Sequence, residues 1–169
     1  MSLIAIIRGI FGINDIEAFW TLRDEMLRES SLHSINELAC KVIRRRYGAG
    51  IPITKGINSF IAPHGFWGIF ISRQAIIGTG CTIFQQVTIG YNNIKDSKTY
   101  GAPVIGQNCV IGAGAKIIGG VRIGNNVRIG ANAVVVEDVP DNSTVVLNKP
   151  RIIVRKKSVL PNECEKDIW

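Results

Sequence analysis

An apolar residue recurs every six positions through the middle of this chain, and glycine follows most of these residues. The apolar anchors are Ile71, Ile77, Ile83, Ile89, Ile105, Ile111, Ile117, Ile123, Ile129 and Val135. The glycines that follow are Gly78, Gly90, Gly106, Gly112, Gly124 and Gly130. Neither an α-helix nor a simple alternating strand has this period. The repeat therefore narrows the fold more than any single motif does.

A second small or apolar residue lies four positions after every anchor except Ile89: Ala75, Cys81, Val87, Cys109, Ala115, Val121, Val127, Ala133 and Val139. Two inward positions per six residues are typical of a β-solenoid, whose short strands stack coil on coil and bury apolar faces only on their neighbours. We expect the glycine after each anchor to allow sharp turns between flat faces. The predicted fold class is an all-β solenoid.

Two helices are predicted before the repeat. Asn14 or Asp15 can cap a first helix that runs to about Arg28. Ser34 and Glu37 form a capping box for a second helix. That helix ends at a basic triplet followed by glycines: Arg44, Arg45, Arg46, Gly48 and Gly50. We assign residues 1–50 to an N-terminal helical segment.

The sixfold period breaks twice. Its phase slips by two residues between Ile57 and Ile71, and His64 lies at this slip. Later, about ten extra residues separate two anchors, and they form a polar, turn-rich loop at 91–103. Loops that leave a rigid scaffold often carry functional sites. We assign residues 51–154 to the solenoid with this loop.

Charge and hydropathy exclude some classes of protein. The net charge of +7 fits an anionic ligand, nucleic acid or an acidic surface, and residues 155–169 form a basic tail. No recognisable module interleaves basic residues with exposed aromatics, which argues against nucleic-acid binding. No run of eighteen apolar residues predicts a membrane span. We expect a cytoplasmic protein and interpret the apolar opening as a packing or interface surface.

Cysteines and histidines provide few candidates for chemistry. Cys81 and Cys109 occupy inward positions, and no cysteine pair has zinc-type spacing, so we expect no metal. His33 is interpreted as a surface residue. His64 stands between Pro63 and Gly65, where a neutral imidazole could face a groove and act as a general base. From the residues alone, a purely structural role for His64 is favoured over a catalytic one.

The chain from Tyr47 to about Ile153 resembles a known family in the stretches YGAGIPI, PHGFWGIFIS, CTIFQQVTIG, GAPVIGQNCVIGAGAKIIGG and GANAVVVEDVPDNSTVV. These are similar to the hexapeptide-repeat acyltransferases, most closely to the serine acetyltransferase-like branch that includes short capsule and exopolysaccharide O-acetyltransferases. The resemblance implies a left-handed parallel β-helix, a homotrimer with active sites between subunits, and acetyl-CoA as donor. It also implies that His64 deprotonates an acceptor hydroxyl, which attacks the thioester without an acyl-enzyme.

The resemblance assigns further residues to the site. By position, Gly90, Ala113 and Ala131 match cofactor-binding residues, although tight coils also require small side chains. The phosphates of coenzyme A imply cations from the last coils and the tail: Arg128, Lys149, Arg151, Arg155, Lys156 and Lys157. Phe66 and Trp67 could stack on an acceptor sugar or pack at a trimer interface. Tyr100 in the loop is assigned to the acceptor with them.

Departures from serine acetyltransferase itself concern the acceptor. That enzyme has an acidic residue before its catalytic histidine and an Arg-His pair before the proline that ends the loop. The corresponding positions here are Pro63, Gly101 and Ala102. We therefore expect a saccharide acceptor, with serine as the alternative acceptor. The non-enzymatic alternative is an inactive β-helix scaffold. A three-histidine zinc site, as in the γ-class carbonic anhydrases of similar fold, needs more histidines than one chain holds.

Overall fold

Short parallel strands wind into a β-helix whose open N-terminal end is covered by two helices. The structure is a computed structural model that describes residues 16–28 and 33–154. Helix α1 spans Ile16–Arg28 and α2 spans His33–Tyr47. The strands, in chain order β1 to β11, are Phe70–Ile71, Ile76–Ile77, Thr82–Ile83, Thr88–Gly90, Val104–Ile105, Val110–Ile111, Lys116–Ile118, Arg122–Ile123, Arg128–Ile129, Val134–Val135 and Thr144–Val145.

The strands form three flat faces. Face A contains β1, β4, β7 and β10, face B contains β2, β5 and β8, and face C contains β3, β6, β9 and β11. Every strand pair is parallel, and anchors pair with anchors, as in Ile71 with Ile89 and Ile77 with Ile105. The predicted solenoid is confirmed, and its architecture is the left-handed parallel β-helix.

The core contains the positions that the repeat predicts. All the anchors from Ile71 to Val135 are buried, and so are the small or apolar residues predicted four positions later, from Ala75 to Ala133. Val139 is half-buried. Cys81 and Cys109 are fully buried, which confirms them as core residues. The pKa of the Cys81 thiol is raised by its hydrogen bond with Cys109 and by burial.

The turns use a different residue from the one we expected. The left-handed backbone conformation occurs three positions after the anchor, at residues such as Gly80, Gln86, Asn108, Gly114 and Asn126. The glycine one position after the anchor instead allows adjacent coils to approach. A Cβ on Gly78 would lie 2.5 Å from the carbonyl oxygen of Gly106. The physical reason given for these glycines was therefore wrong, because they serve packing between coils.

The two helices close the first coil over an aromatic cluster. Phe19 and Trp20 of α1 pack edge-to-face against Phe66, and Trp20 Nε1 donates a hydrogen bond of 3.2 Å to the carbonyl oxygen of Phe60. Buried Arg23 donates to the carbonyl oxygens of Thr54 (3.0 Å) and Ile57. Such a cover protects the exposed end of a solenoid from solvent and from further strand pairing.

The helix limits differ slightly from those predicted. Helix α2 begins at His33, one residue before the predicted cap Ser34. It ends at Tyr47, where Gly48 adopts a left-handed φ of 55° and its N–H bonds to the carbonyl oxygen of Arg44 at 3.0 Å. That end is the glycine stop that the sequence predicts. The side chain of His33, the predicted caps Asn14 and Asp15 of the first helix, and residues 155–169 lie outside what the structure describes.

The loop at 91–103 leaves the β-helix between β4 on face A and β5 on face B. Asn92 and Gly101 close its base with paired backbone hydrogen bonds of 2.8 and 3.0 Å. The next coil supports it, since Gly120 donates to the carbonyl oxygen of Thr99 at 2.8 Å. Across the described residues, no helix is both long and apolar enough to cross a membrane.

Candidate active site

His64 lies in an unusually long turn of the first coil. Nine residues separate Ile61 from Phe70, whereas six separate their partners Thr82 and Thr88 in the next coil. The longer turn joins face C to face A and carries His64 at the surface, where its side chain is exposed. The phase slip seen in the sequence is therefore an enlarged turn that projects a histidine from the scaffold.

The same turn position in the following coils forms a column below His64. Gln85, Ala113 and Ala131 each lie two residues after an anchor of face C, so they stack at the corner between faces C and A. We call His64, Gln85, Ala113 and Ala131 the histidine corner. Since neighbouring strands are about 4.8 Å apart, four coils give this corner a length of roughly 15 Å.

Backbone hydrogen bonds fix the histidine corner from coil to coil. Gln86 donates to the carbonyl oxygen of Trp67 at 2.8 Å, and Gly114 donates to that of Gln85 at 3.0 Å. Asn132 donates to the carbonyl oxygen of Ala113 at 2.8 Å. Each turn is therefore attached to the next, which makes the column a rigid support for His64.

The imidazole of His64 has two contacts in the next coil. Its Nδ1 lies 2.8 Å from Oε1 of Gln85, and its ring meets Phe84 edge-on with centroids 5.6 Å apart. A carboxamide oxygen accepts and cannot donate, so with Oε1 as the partner a neutral imidazole carries its proton on Nδ1. The second ring nitrogen, Nε2, then carries a lone pair, as a general base requires.

The predicted cofactor residues separate into two places. Ala113 is half-buried and Ala131 exposed in the histidine corner, and their methyl groups fill little of the space beside the column. Gly90 ends β4 at the corner between faces A and B, where a Cβ would lie 2.7 Å from Cδ1 of Ile118. Within one chain, Gly90 and His64 are thus at opposite edges of face A.

Tyr100 also lies away from His64 in one chain. It is exposed in the loop at 91–103, and its ring packs on Tyr91 with centroids 5.5 Å apart. A hydrogen bond with Tyr100 raises the pKa of Tyr91. We call this region, residues 91–103 at the edge between faces A and B, the loop corner.

The two aromatic residues after His64 have different environments. Phe66 is completely buried among Phe19, Trp20, Tyr47 and Phe60, so the prediction that it contacts an acceptor was wrong. The first coil has no clear sixfold phase, and the sequence therefore did not distinguish its inward side chains. Trp67 is about half exposed beside the histidine corner and stays a candidate acceptor contact.

The predicted phosphate-binding cations are accessible. Arg128 is exposed on face C, and Lys149 and Arg151 are exposed in the segment that follows β11. The chain leaves face C at β11, so Lys149 and Arg151 follow the end of the column that starts at His64. Arg155, Lys156 and Lys157 lie outside the described residues. No cluster of three potential metal ligands occurs in the described part of the chain.

Gln85 is a candidate site residue that the sequence analysis missed. The sequence contains a signal for Gln85. Three repeats make one coil, so every third turn lies at the same corner of the β-helix. That count puts Gln85 in the same turn position as Ala113 and Ala131. The same count separates the loop corner from the histidine corner.

Comparisons with known proteins agree with this architecture. Residues 102–136 match the bacterial transferase hexapeptide family of six repeats. The chain is 37% identical over 150 residues to the serine acetyltransferase of Bacillus subtilis, covering 86% of this chain and 67% of that protein. It is 42% identical over 110 residues to the serine acetyltransferase of Synechococcus elongatus, covering 65% of this chain but only 40% of that one.

A solved structure of a serine acetyltransferase in complex with CoA superposes with a TM-score of 0.62 at 25% identity. The match covers 76% of this chain and 51% of that one. This chain therefore spans between two fifths and two thirds of the length of these three proteins. On its repeat, its β-helix and its similarity over most of its length, the chain belongs to the serine acetyltransferase-like family of hexapeptide-repeat acyltransferases.

Proposed function

We propose that this protein is an acetyl-CoA-dependent O-acetyltransferase in which His64 is the general base. The observation that carries the proposal is the contact between Nδ1 of His64 and Oε1 of Gln85, which leaves Nε2 free to accept a proton. Among the described residues, His64 is an exposed histidine on a rigid turn that the family resemblance also selects. A cytoplasmic location, where acetyl-CoA is available, is part of the proposal.

In the proposed reaction, His64 takes a proton from the acceptor and later returns it to the leaving group. The acceptor hydroxyl gives its proton to Nε2 of His64 while its oxygen attacks the thioester carbonyl carbon. The tetrahedral intermediate then collapses, the carbon–sulfur bond breaks, and the imidazolium returns the proton to the departing thiolate. A positioned base contributes roughly 10²–10⁴-fold to such a step. The products are the acetyl ester and free CoA.

The histidine corner supports a binding path for acetyl-CoA. Ala113 and Ala131 have small side chains, so a narrow pantetheine chain can lie along the column toward His64. Lys149 and Arg151 follow the far end of the column, where cations would pair with the phosphates. Arg128 on face C adds a further cation near that end. The solved CoA complex of a family member supports this ligand.

A homotrimer would complete the site. His64 and Tyr100 lie at opposite edges of face A, so the loop corner of one chain can meet His64 only in another chain. Exposed apolar side chains on the outer surfaces of the faces, Phe70 and Val134 on face A and Ile76 on face B, provide surface for association. We propose that three copies pair a histidine corner with a neighbouring loop corner.

L-serine is the acceptor that the named relatives favour, and we propose it first. The relatives from Bacillus subtilis and Synechococcus elongatus are both serine acetyltransferases. A saccharide is the second candidate, because Pro63, Gly101 and Ala102 cannot pair with the charged groups of an amino acid. The sequence alone favoured the saccharide, whereas the comparisons favour serine.

Acetyl transfer to a panel of acceptors tests the proposal. Release of free CoA thiol from acetyl-CoA would be followed with purified protein and L-serine, or with neutral mono- and disaccharides. Turnover with L-serine supports the first candidate, and turnover only with a sugar supports the second. Absence of acceptor-dependent CoA release from a folded trimer would contradict the proposed function.

A further inference from the structure

We infer that Gln85 is the positioning residue for His64, fixing both the direction of the imidazole and the nitrogen that carries its proton. This inference rests on the proposed function, because it assigns a role within the same site. A neutral carboxamide from the next coil contacts the imidazole.

The geometry of the pair supports this role. The distance of 2.8 Å between Nδ1 and Oε1 is that of a good hydrogen bond. The backbone of Gln85 is held by the bond from Gly114, and that of Gln86 by its bond to Trp67. The edge of Phe84 limits rotation of the ring on another side. An exposed histidine would otherwise sample several rotamers and both neutral tautomers.

The tautomer decides whether His64 can work as a base. When Oε1 of Gln85 accepts from Nδ1–H, Nε2 has a lone pair directed away from the scaffold. If the carboxamide were reversed, its NH₂ group would donate to Nδ1 and the proton would lie on Nε2, which could then accept nothing. The role inferred for Gln85 therefore specifies which ring nitrogen of His64 carries the proton.

A carboxamide also differs from a carboxylate in its effect on pH dependence. A negative partner favours the imidazolium, which is inactive as a base, whereas a neutral partner does not. Gln85 therefore orients the ring without placing a negative charge beside it. Replacing Gln85 with glutamate should keep the hydrogen bond but extend the inactive protonated form to higher pH.

The first test measures the tautomer by ¹⁵N NMR of the full chain at pH 8, with no substrate. The chain has two histidines, so a His33→Gln variant assigns the signals. We expect wild-type His64 to carry its proton on Nδ1 and the Gln85→Ala variant to lose this preference. A wild-type proton on Nε2 would overturn the inference. Because this measurement needs no turnover, it remains decisive even if the proposed acetyl transfer fails.

The second test uses kinetics. Gln85→Ala should lower kcat about tenfold, the value of one ordinary hydrogen bond, and leave both KM values within about twofold. Alanine is structurally acceptable there, since Ala113 and Ala131 occupy the same turn position. Gln85→Glu should restore much of kcat and move the acid limb of the kcat/KM profile up by about one pH unit.

A matched control separates positioning from general damage. Gln107 occupies the same turn position at the corner between faces B and C and is exposed. Gln107→Ala should change neither the tautomer nor the pH profile. Equal losses in Gln85→Ala and Gln107→Ala, or an unmoved acid limb in Gln85→Glu, would overturn the assignment.

Discussion

At the scale of single residues, glycines at equivalent repeat positions have unequal neighbours. A Cβ on Gly106 would lie 2.7 Å from both the carbonyl oxygen of Gly124 and Oδ1 of Asn125. A Cβ on Gly130 would lie 3.2 Å from its nearest neighbour, the carbonyl oxygen of Val145. Neither glycine has a left-handed φ, so the spacing between coils is the main difference between them.

We predict that Gly106→Ala lowers the free energy of unfolding by about 1–3 kcal/mol, because backbone atoms must move to accept the methyl group. Gly130→Ala should change it by less than about 1 kcal/mol. Both substitutions reduce the entropy of the unfolded chain similarly, so their difference reports packing in the folded state. Urea unfolding measures both values, and equal losses would refute the interpretation of glycine as a spacer.

At the scale of elements, α1 is attached to the first coil by a buried arginine. Arg23 donates to the carbonyl oxygens of Thr54 and Ile57, and its guanidinium lies 5.7 Å from the centre of the Trp20 ring. It also contacts Asp24 at 2.6 Å. These contacts hold the helix against the first coil of the β-helix.

We expect Arg23→Met to lower the free energy of unfolding by about 2–4 kcal/mol, because it removes a buried guanidinium and leaves the carbonyl oxygen of Ile57 without its arginine donor. Arg28→Met is the matched control, since Arg28 ends the same helix and is exposed. That control should stay within about 0.5 kcal/mol of wild type. A comparable loss in both variants would mean that Arg23 does not attach the helix through these bonds.

The sequence predicted the structure correctly where the repeat is regular and less well in the first coil, where it is not. From Ile71 onward the sixfold repeat indicates which side chains face inward. The burial of anchors such as Ile83 and Ile111 was therefore predicted correctly. The first coil has no such phase, and Phe66 was misassigned there. Gln85 was missed because its contact with His64 spans 21 residues and depends on a turn enlarged by tertiary structure. Counting repeats places Gln85 at the same corner as Ala113 and Ala131, but it does not encode the contact with His64.

At the scale of the whole molecule, the histidine corner and the loop corner lie at opposite edges of face A. If a trimer brings the two corners together, two inactive variants that are changed at different corners can form active sites in mixed trimers. One chain would carry His64→Ala. In the other, two glycines would replace residues 93–100, leaving the paired Asn92 and Gly101 as the base of a short hairpin.

We predict that mixed trimers of these two chains regain acetyl transfer, whereas each variant alone is inactive. Restored sites would pair an intact His64 from one chain with an intact loop from another. A mixture of His64→Ala with Gln85→Ala has both lesions at one corner and serves as the control, in which activity should not exceed that of Gln85→Ala sites. Mixed trimers that form without any recovery would contradict the shared site.

The most direct test of the central claim is the rate of CoA thiol release by His64→Ala with the acceptor that the panel identifies. We predict a fall in kcat of about 10²–10⁴-fold, because the base that removes the hydroxyl proton is lost. His33→Ala, which changes the other histidine of the chain, should retain the wild-type rate. A His64→Ala protein that still folds and turns over at the wild-type rate would show that another group is the base.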